Sequence, residues 1–94
     1  MLQFDWDEAN RDHIARHSVL PQEVEEAFNG DTLELAAYTR GGEPRYEDLG
    51  ISDSGRILFV VSTIRGERVR VVTAFDATRS QKLKFLAFHR SIHE

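Results

Sequence analysis

Between Arg56 and Ile64 the chain is apolar on both parities. Ile57, Phe59 and Val61 stand on one, and Leu58, Val60 and Ile64 on the other. A strand with one wet face alternates between apolar and polar, so a strand apolar on both sides must be covered on both. This segment is therefore expected at the middle of a sheet, with other elements packed above and below it. The remainder of a 94-residue chain has to supply that cover, and a chain of this length is expected to form one domain, residues 1–94.

Turn signals bracket the central segment. Asp53-Ser54-Gly55 precedes it and Arg65-Gly66-Glu67 follows it. Upstream, Thr32–Thr39 carries Leu33, Leu35 and Ala37 at alternate positions. After the loop Arg40–Pro44, Arg45–Ile51 places Leu49 and Ile51 on one face. Downstream, Arg68–Phe75 alternates, with Val69, Val71 and Phe75 expected inward and Arg68 and Arg70 on the opposite face. Four strands joined by short connections predict an antiparallel meander.

Helical spacing occupies both ends. Asp5 with Glu8 three residues on reads as a capped start for a helix over Trp6–His17, with Trp6, Ala9, His13 and His17 along one face. Pro21 suits the first turn of a second helix ending near Phe28, although Leu20 is a poor N-cap; Asn29-Gly30-Asp31 stops it. A third helix is expected from Thr78 or Arg79. It carries two apolar stripes on roughly opposite sides, Leu83, Leu86 and Ala87 on one, Phe85, Phe88 and Ile92 on the other. One stripe packs on the sheet. The other needs a second surface, either a partner or a groove between the sheet and the first two helices that takes both stripes, and Phe85, Phe88 and Ile92 are the candidate partner-binding residues. The fold class is α+β: two N-terminal helices, a four-stranded antiparallel sheet and a C-terminal helix.

Cysteine is absent, which excludes disulfides and thiolate metal sites. The start of the chain has neither the basic nor the apolar segment of a secretion signal, and the apolar run Ile57–Val61 is too short to span a membrane, so a cytoplasmic protein is expected. Net charge is −4, unevenly spread. Residues 1–50 hold 12 acids and 4 bases, and residues 51–94 hold 4 acids and 8 bases. A basic half suits phosphate while an acidic half preserves solubility, although two mixed surfaces differing by chance would read the same.

An ordered set of segments resembles the BrnT toxin family, the ribonuclease halves of bacterial type II toxin–antitoxin pairs. They are Phe4-Asp-Trp-Asp-Glu-Ala-Asn, His13-Ile-Ala-Arg-His17, Arg45-Tyr46, Gly50, Gly55-Arg56-Ile-Leu-Phe-Val-Val, Arg70-Val-Val-Thr-Ala and Ala77-Thr78-Arg79. The resemblance runs from about Phe4 to Phe85. It implies a RelE-like architecture, RNA cleavage that inhibits translation, and a cognate antitoxin with a ribbon–helix–helix DNA-binding part. That antitoxin would hold the toxin inactive and bring it to operator DNA, with the toxin expected as a homodimer or as a heterotetramer with the antitoxin. Three positions depart from the family's usual residues: Phe75 for Arg, Gln81 for Glu and Phe85 for Tyr. Each removes a charge or a hydroxyl, which supports an alternative expectation of a catalytically silent homologue acting as an interaction module or corepressor.

RNA cleavage without a cofactor uses the 2′-hydroxyl as nucleophile and needs a base, an acid and cations at the phosphate. Arg45, Arg56, Arg68, Arg70 and Arg79 are the candidate RNA-binding residues, because a guanidinium fork meets two phosphate oxygens and stays charged. Arg70 and Arg79 are also candidate catalytic residues. His17 is the candidate for proton transfer, with a helix-capping role as the alternative. Trp6, Tyr38 and Tyr46 are candidates for stacking on bases. His13/His17 and His89/His93 have i, i+4 spacing that can chelate zinc, but no carboxylate completes an HExxH pattern, and no metal or cofactor is expected.

Overall fold

The computed structural model describes residues 2–94. Its elements run α1 (Glu8–Ala15), α2 (Pro21–Asn29), β1 (Leu33–Arg40), β2 (Glu43–Ile51), β3 (Ile57–Arg65), β4 (Arg68–Asp76) and α3 (Arg79–His93). The sheet is an antiparallel meander in the order β1-β2-β3-β4, so the expected α+β architecture is what the chain adopts. The two sides of β3 seed two cores. On one side Leu58 and Val60 join Val71 and Ala74 of β4, Ile14 of α1 and Val24 of α2, with Phe4, Trp6 and Phe28 around them. On the other side Ile57 and Phe59 join Leu49 of β2, Ala77 and Phe85, with Phe75 and Phe88 alongside. Gly50 lies where α2 packs on β2: a Cβ there would sit 3.1 Å from both the Ala27 Cβ and the Ala27 carbonyl oxygen, so any larger residue would push the helix back by a few tenths of an ångström.

The first helix begins later than expected. Gln3–Asp5 is drawn into strand pairing along the outer edge of β4, with Asp5 N–H donating to the Val69 carbonyl and Val69 N–H to the Gln3 carbonyl, both at 2.8 Å. The helix therefore starts at Glu8. Asp7, not Asp5, is its N-cap, and Asn10 rather than Glu8 completes the capping box. Trp6 lies outside the helix, packs on Phe4 and donates to Glu25. The expected loop Arg40–Pro44 shrinks to the two glycines Gly41 and Gly42, whose φ values of 59° and 79° suit a tight hairpin turn, and β2 begins at Glu43.

Two bulges correct the strict alternation. The β1–β2 register shifts between Glu34 and Ala36, so Leu33 and Leu35 reach the α3-side core while Ala37 pairs with Tyr46 on the other face. The β3–β4 register shifts after Val61: its partner is Thr73, but the partner of Ser62 is Val71. Val72 is the extra residue. Val69 and Val71 consequently turn away from Phe75, and Arg68 and Arg70 turn onto the face that Phe75 shares.

Helix α3 packs through Phe85, which is completely buried, with Phe88 beside it. The expectation that Phe85 and Phe88 await a partner is thus corrected, whereas Ile92 of the same stripe stays exposed. The aromatic stripe carries the larger apolar area and fills the hollow over Leu49, Ile57 and Phe59. Leu83 and Leu86 stay outside at 59% and 44% exposure, and Ile92 is 46% exposed near the helix end.

Arg56 ties the α1–α2 connection to the sheet. Its guanidinium donates to the Ser18 carbonyl at 2.6 Å and pairs with Glu23 at 3.2 Å and Asp76 at 3.4 Å. Arg56→Ala is expected to cost about 1–2 kcal/mol of stability, because it strands the Ser18 carbonyl and the partly covered Glu23; urea unfolding measures the loss. Half-buried Asp48 lies directly opposite Glu34, and burial, with the Glu34 charge second, pushes its carboxyl up to about 6. An aspartate in an unfolded chain titrates near about 4. The folded state therefore holds this proton more tightly, and the stability it contributes is full below about pH 4 and lost as the pH rises to about 6. Asp48→Asn is expected to flatten that slope and to raise stability above pH 7 by on the order of 1 kcal/mol, after discounting for solvent screening, with thermal melts across the range as the measurement.

Candidate nucleic-acid interface

On the α3 side of the sheet the side chains change character along each strand. In β3 the series is Ile57, Phe59, Val61, then Thr63 and Arg65. The apolar half lies under α3. Beyond it the face is polar and open, and forms a cleft of about 230 Å³ lined by Ala9, Asn10, His13, Glu43, Arg45, Thr63, Arg65, Arg70 and the β4 backbone at Val71 and Val72. Arg70 is directly opposite Thr63, and Arg68 opposite Arg65. Arg45 is one step beyond the Tyr46–Ser62 pair and so flanks Thr63 from β2. Tyr38, exposed on β1, stands opposite Arg45. One row of the sheet thus reads Tyr38, Arg45, Thr63, Arg70.

Helix α1 closes the cleft from the β4 edge. Asn10 is buried there, its side-chain amide donating to the carbonyls of Asp5 at 2.9 Å and Val71 at 3.2 Å. His13, one turn on, reaches over the edge with Nε2 at 3.1 Å from the Thr73 hydroxyl. Carboxylates already meet the guanidinium groups. Glu43 bridges Arg45 at 3.1 Å and Arg65 at 3.7 Å. Arg70 contacts Asp7 at 3.0 Å and Asp5 at 3.5 Å. The Arg70 hydrogen bond, aided by the Asn10 backbone N–H, holds the Asp7 carboxyl below the usual range, and Asp7 in turn raises Arg70. The Thr63 hydroxyl, in a residue 1% exposed, has no hydrogen-bond partner in the protein.

Of the residues singled out in the sequence, Arg45 and Arg70 meet in this cleft, and Arg68 stands opposite Arg65, one same-face step further along β4 and outside the lining. Arg56 does not: it is locked on Glu23 and Asp76 at the other end of β3. Arg79 opens α3 beyond the far end of β4, about 20 Å of strand from Arg70. His17 lies outside the lining and packs its ring on Phe75 at 5.4 Å, in the turn that follows α1. Tyr38 donates to Glu47 at 2.7 Å, and Tyr46 pairs with Ser62 on the other face. Among the described residues no three His, Cys, Asp or Glu side chains converge as a metal-ligating group.

His13, Arg65, Glu43 and Thr63 were missed. The turn signals place Arg65 and Glu43 in loops, yet a two-residue hairpin sets Arg65 opposite Arg68 by register alone. The three departures lie away from these groups. Phe75 stacks on Phe59 at 5.1 Å, Gln81 caps the N-terminus of α3 through the Thr78 N–H, and Phe85 is core.

No curated protein matches the chain. Among the described residues no helix is long and apolar enough to cross a membrane. Residues 6–81, from the strand-to-helix corner at Trp6 through the first turn of α3, match the family described as ribonuclease toxin, BrnT, of type II toxin–antitoxin system. With that match spanning all four strands of the sheet, the chain belongs to the BrnT family of type II toxin–antitoxin ribonuclease toxins, and a toxin of this type has a cognate antitoxin as its partner.

Proposed function

We propose that this chain cleaves single-stranded RNA in the cytoplasm, in the cleft on the open half of the sheet. The observation that carries the reading is the convergence of Arg45, Arg65 and Arg70 with His13 around one concavity. The guanidinium groups bind the scissile phosphate and stabilise the charge that gathers on it in the transition state. Glu43 takes the proton from the 2′-hydroxyl. The 2′-oxygen attacks phosphorus, the bond to the 5′-oxygen breaks, and His13 protonates that oxygen, leaving a 2′,3′-cyclic phosphate and a 5′-hydroxyl. Tyr38, in the same row, offers an exposed ring on which a neighbouring base stacks. The substrate phosphate displaces carboxylates from guanidinium forks they now occupy, so cleavage weakens as salt rises.

The antitoxin, a ribbon–helix–helix protein by resemblance, neutralises the toxin in an oligomeric complex and carries it to operator DNA. Its docking surface includes the outer stripe of α3, where Leu83 and Leu86 remain exposed on a helix whose charged side chains, Arg79 to Arg90, are all basic.

His13→Ala is expected to reduce cleavage of a labelled RNA by roughly 10²–10⁴-fold, and His17→Ala by much less. Equal loss in both variants would remove His13 from its role. A well-folded wild-type chain that cleaves no RNA and arrests no growth, yet binds its antitoxin, would favour the silent-homologue reading. Leu83→Glu with Leu86→Glu is expected to weaken binding to the co-expressed protein of the adjoining gene by tenfold or more, on the order of the lost apolar burial, with cleavage unchanged; calorimetric titration measures it.

A further inference from the structure

We propose that the row Arg45–Thr63–Arg70 is a seat for a single phosphate group, in which the Thr63 hydroxyl donates to a non-bridging oxygen held between the two guanidiniums. The inference deepens the reading of the cleft as the RNA site and rests on that reading for the identity of the phosphate's owner. Its starting point is a hydroxyl in the wrong place. Thr63 occupies the central strand, is 1% exposed, and follows Val61, the preceding residue on the same face. Valine has the same shape and would bury no polar atom. A buried hydroxyl with no partner in the protein is a standing cost, and such groups are rare enough in folded proteins that each calls for an explanation, a bound oxyanion among them.

The neighbours define that ligand. Arg70 is directly opposite on β4 and Arg45 flanks from β2, so Thr63 stands between two arginine positions on one face of three adjacent strands, and all three line the cleft. Both guanidiniums already hold oxyanions, Asp7 at 3.0 Å and Glu43 at 3.1 Å. Those carboxylates approach from the ends of β2 and α1, and neither reaches Thr63, whose Oγ1 stays unpaired. A tetrahedral oxyanion has oxygens enough to meet both forks and the hydroxyl at once, which a planar carboxylate on one fork does not. The bulge at Val72 is what brings Arg70 to this row.

The test uses the full chain, a 2′-deoxy-substituted RNA oligonucleotide that cannot be cleaved, and inorganic phosphate. Thr63→Val is expected to melt no lower than wild type and to bind the oligonucleotide about tenfold more weakly, while Thr63→Ser keeps wild-type affinity. In wild type, phosphate titrated alone is expected to shift the amide resonances of Thr63 and Arg70. Wild-type affinity in Thr63→Val overturns the proposal, as does an equal loss in Thr63→Ser, which would mark packing rather than the hydroxyl. Should Thr63→Val fail to fold, the phosphate titration decides: no shift at Thr63 overturns the seat. Cleavage of RNA by wild type with no effect of Thr63→Val sinks this inference and leaves the ribonuclease reading intact. Binding that needs the hydroxyl, without cleavage, supports the seat and sinks catalysis.

Discussion

Burial of β3 on both of its faces is the constraint from which the rest follows. A strand apolar on both parities cannot be left wet, and this chain has three short helices with which to cover it. Two of them, α1 and α2, take one face and seal Leu58 and Val60. The single helix α3 has to serve the other, and its aromatic stripe covers Ile57 and Phe59 but ends there. Past Val61 the same face carries Thr63 and Arg65. The concavity exists because one helix is too little roof for the sheet: Arg65 at its rim is exposed, while Thr63 beneath is buried although polar.

The charge asymmetry of the sequence is resolved in the fold by crossing. The cations of the cleft, Arg65 and Arg70, come from the basic half, with Arg45 joining them from β2. The carboxylates that meet them, Asp5, Asp7 and Glu43, come from the acidic half. Three guanidiniums packed this closely would repel one another in an empty site, and the carboxylates offset that repulsion at the cost of competing with any incoming phosphate. Asp7 has two tasks, capping α1 and pinning Arg70, so the start of the first helix and the orientation of the site are set by one side chain.

Element order, sheet topology and the central place of β3 were legible from periodicity, because burial on two faces leaves an unmistakable pattern in Ile57–Val61. The site was legible in part. Arg45 and Arg70 could be named by charge and by resemblance, but their convergence depends on a register shift that local sequence does not announce: strict alternation sets Arg70 against Phe75, and one extra residue, Val72, reverses it. Arg56 and Arg79 look equivalent to Arg70 in sequence and are not, since one is consumed by Glu23 and Asp76 and the other lies beyond the far end of its strand. His13 and His17 differ by a single turn. Which of them overhangs the cleft was decided by Gln3–Asp5 pairing with β4, which delays the helix and sets its position along the edge. On α3 two stripes competed on equal spacing, and ring area chose between them.

The pairing of Gln3–Asp5 with Val69 has a consequence for how copies of this molecule meet. Together with the Asn10 amide on the Val71 carbonyl, it occupies backbone groups along the outer margin of β4. The margin of β1 is different: Ala37 to Arg40 are exposed there, with backbone groups turned to solvent. A sheet with one blocked border and one free border can be extended by a visiting strand on a single side. Edge-to-edge joining of two copies would then use up the free border of each and stop, so the molecule is protected against open-ended fibre growth by a strand only three residues long.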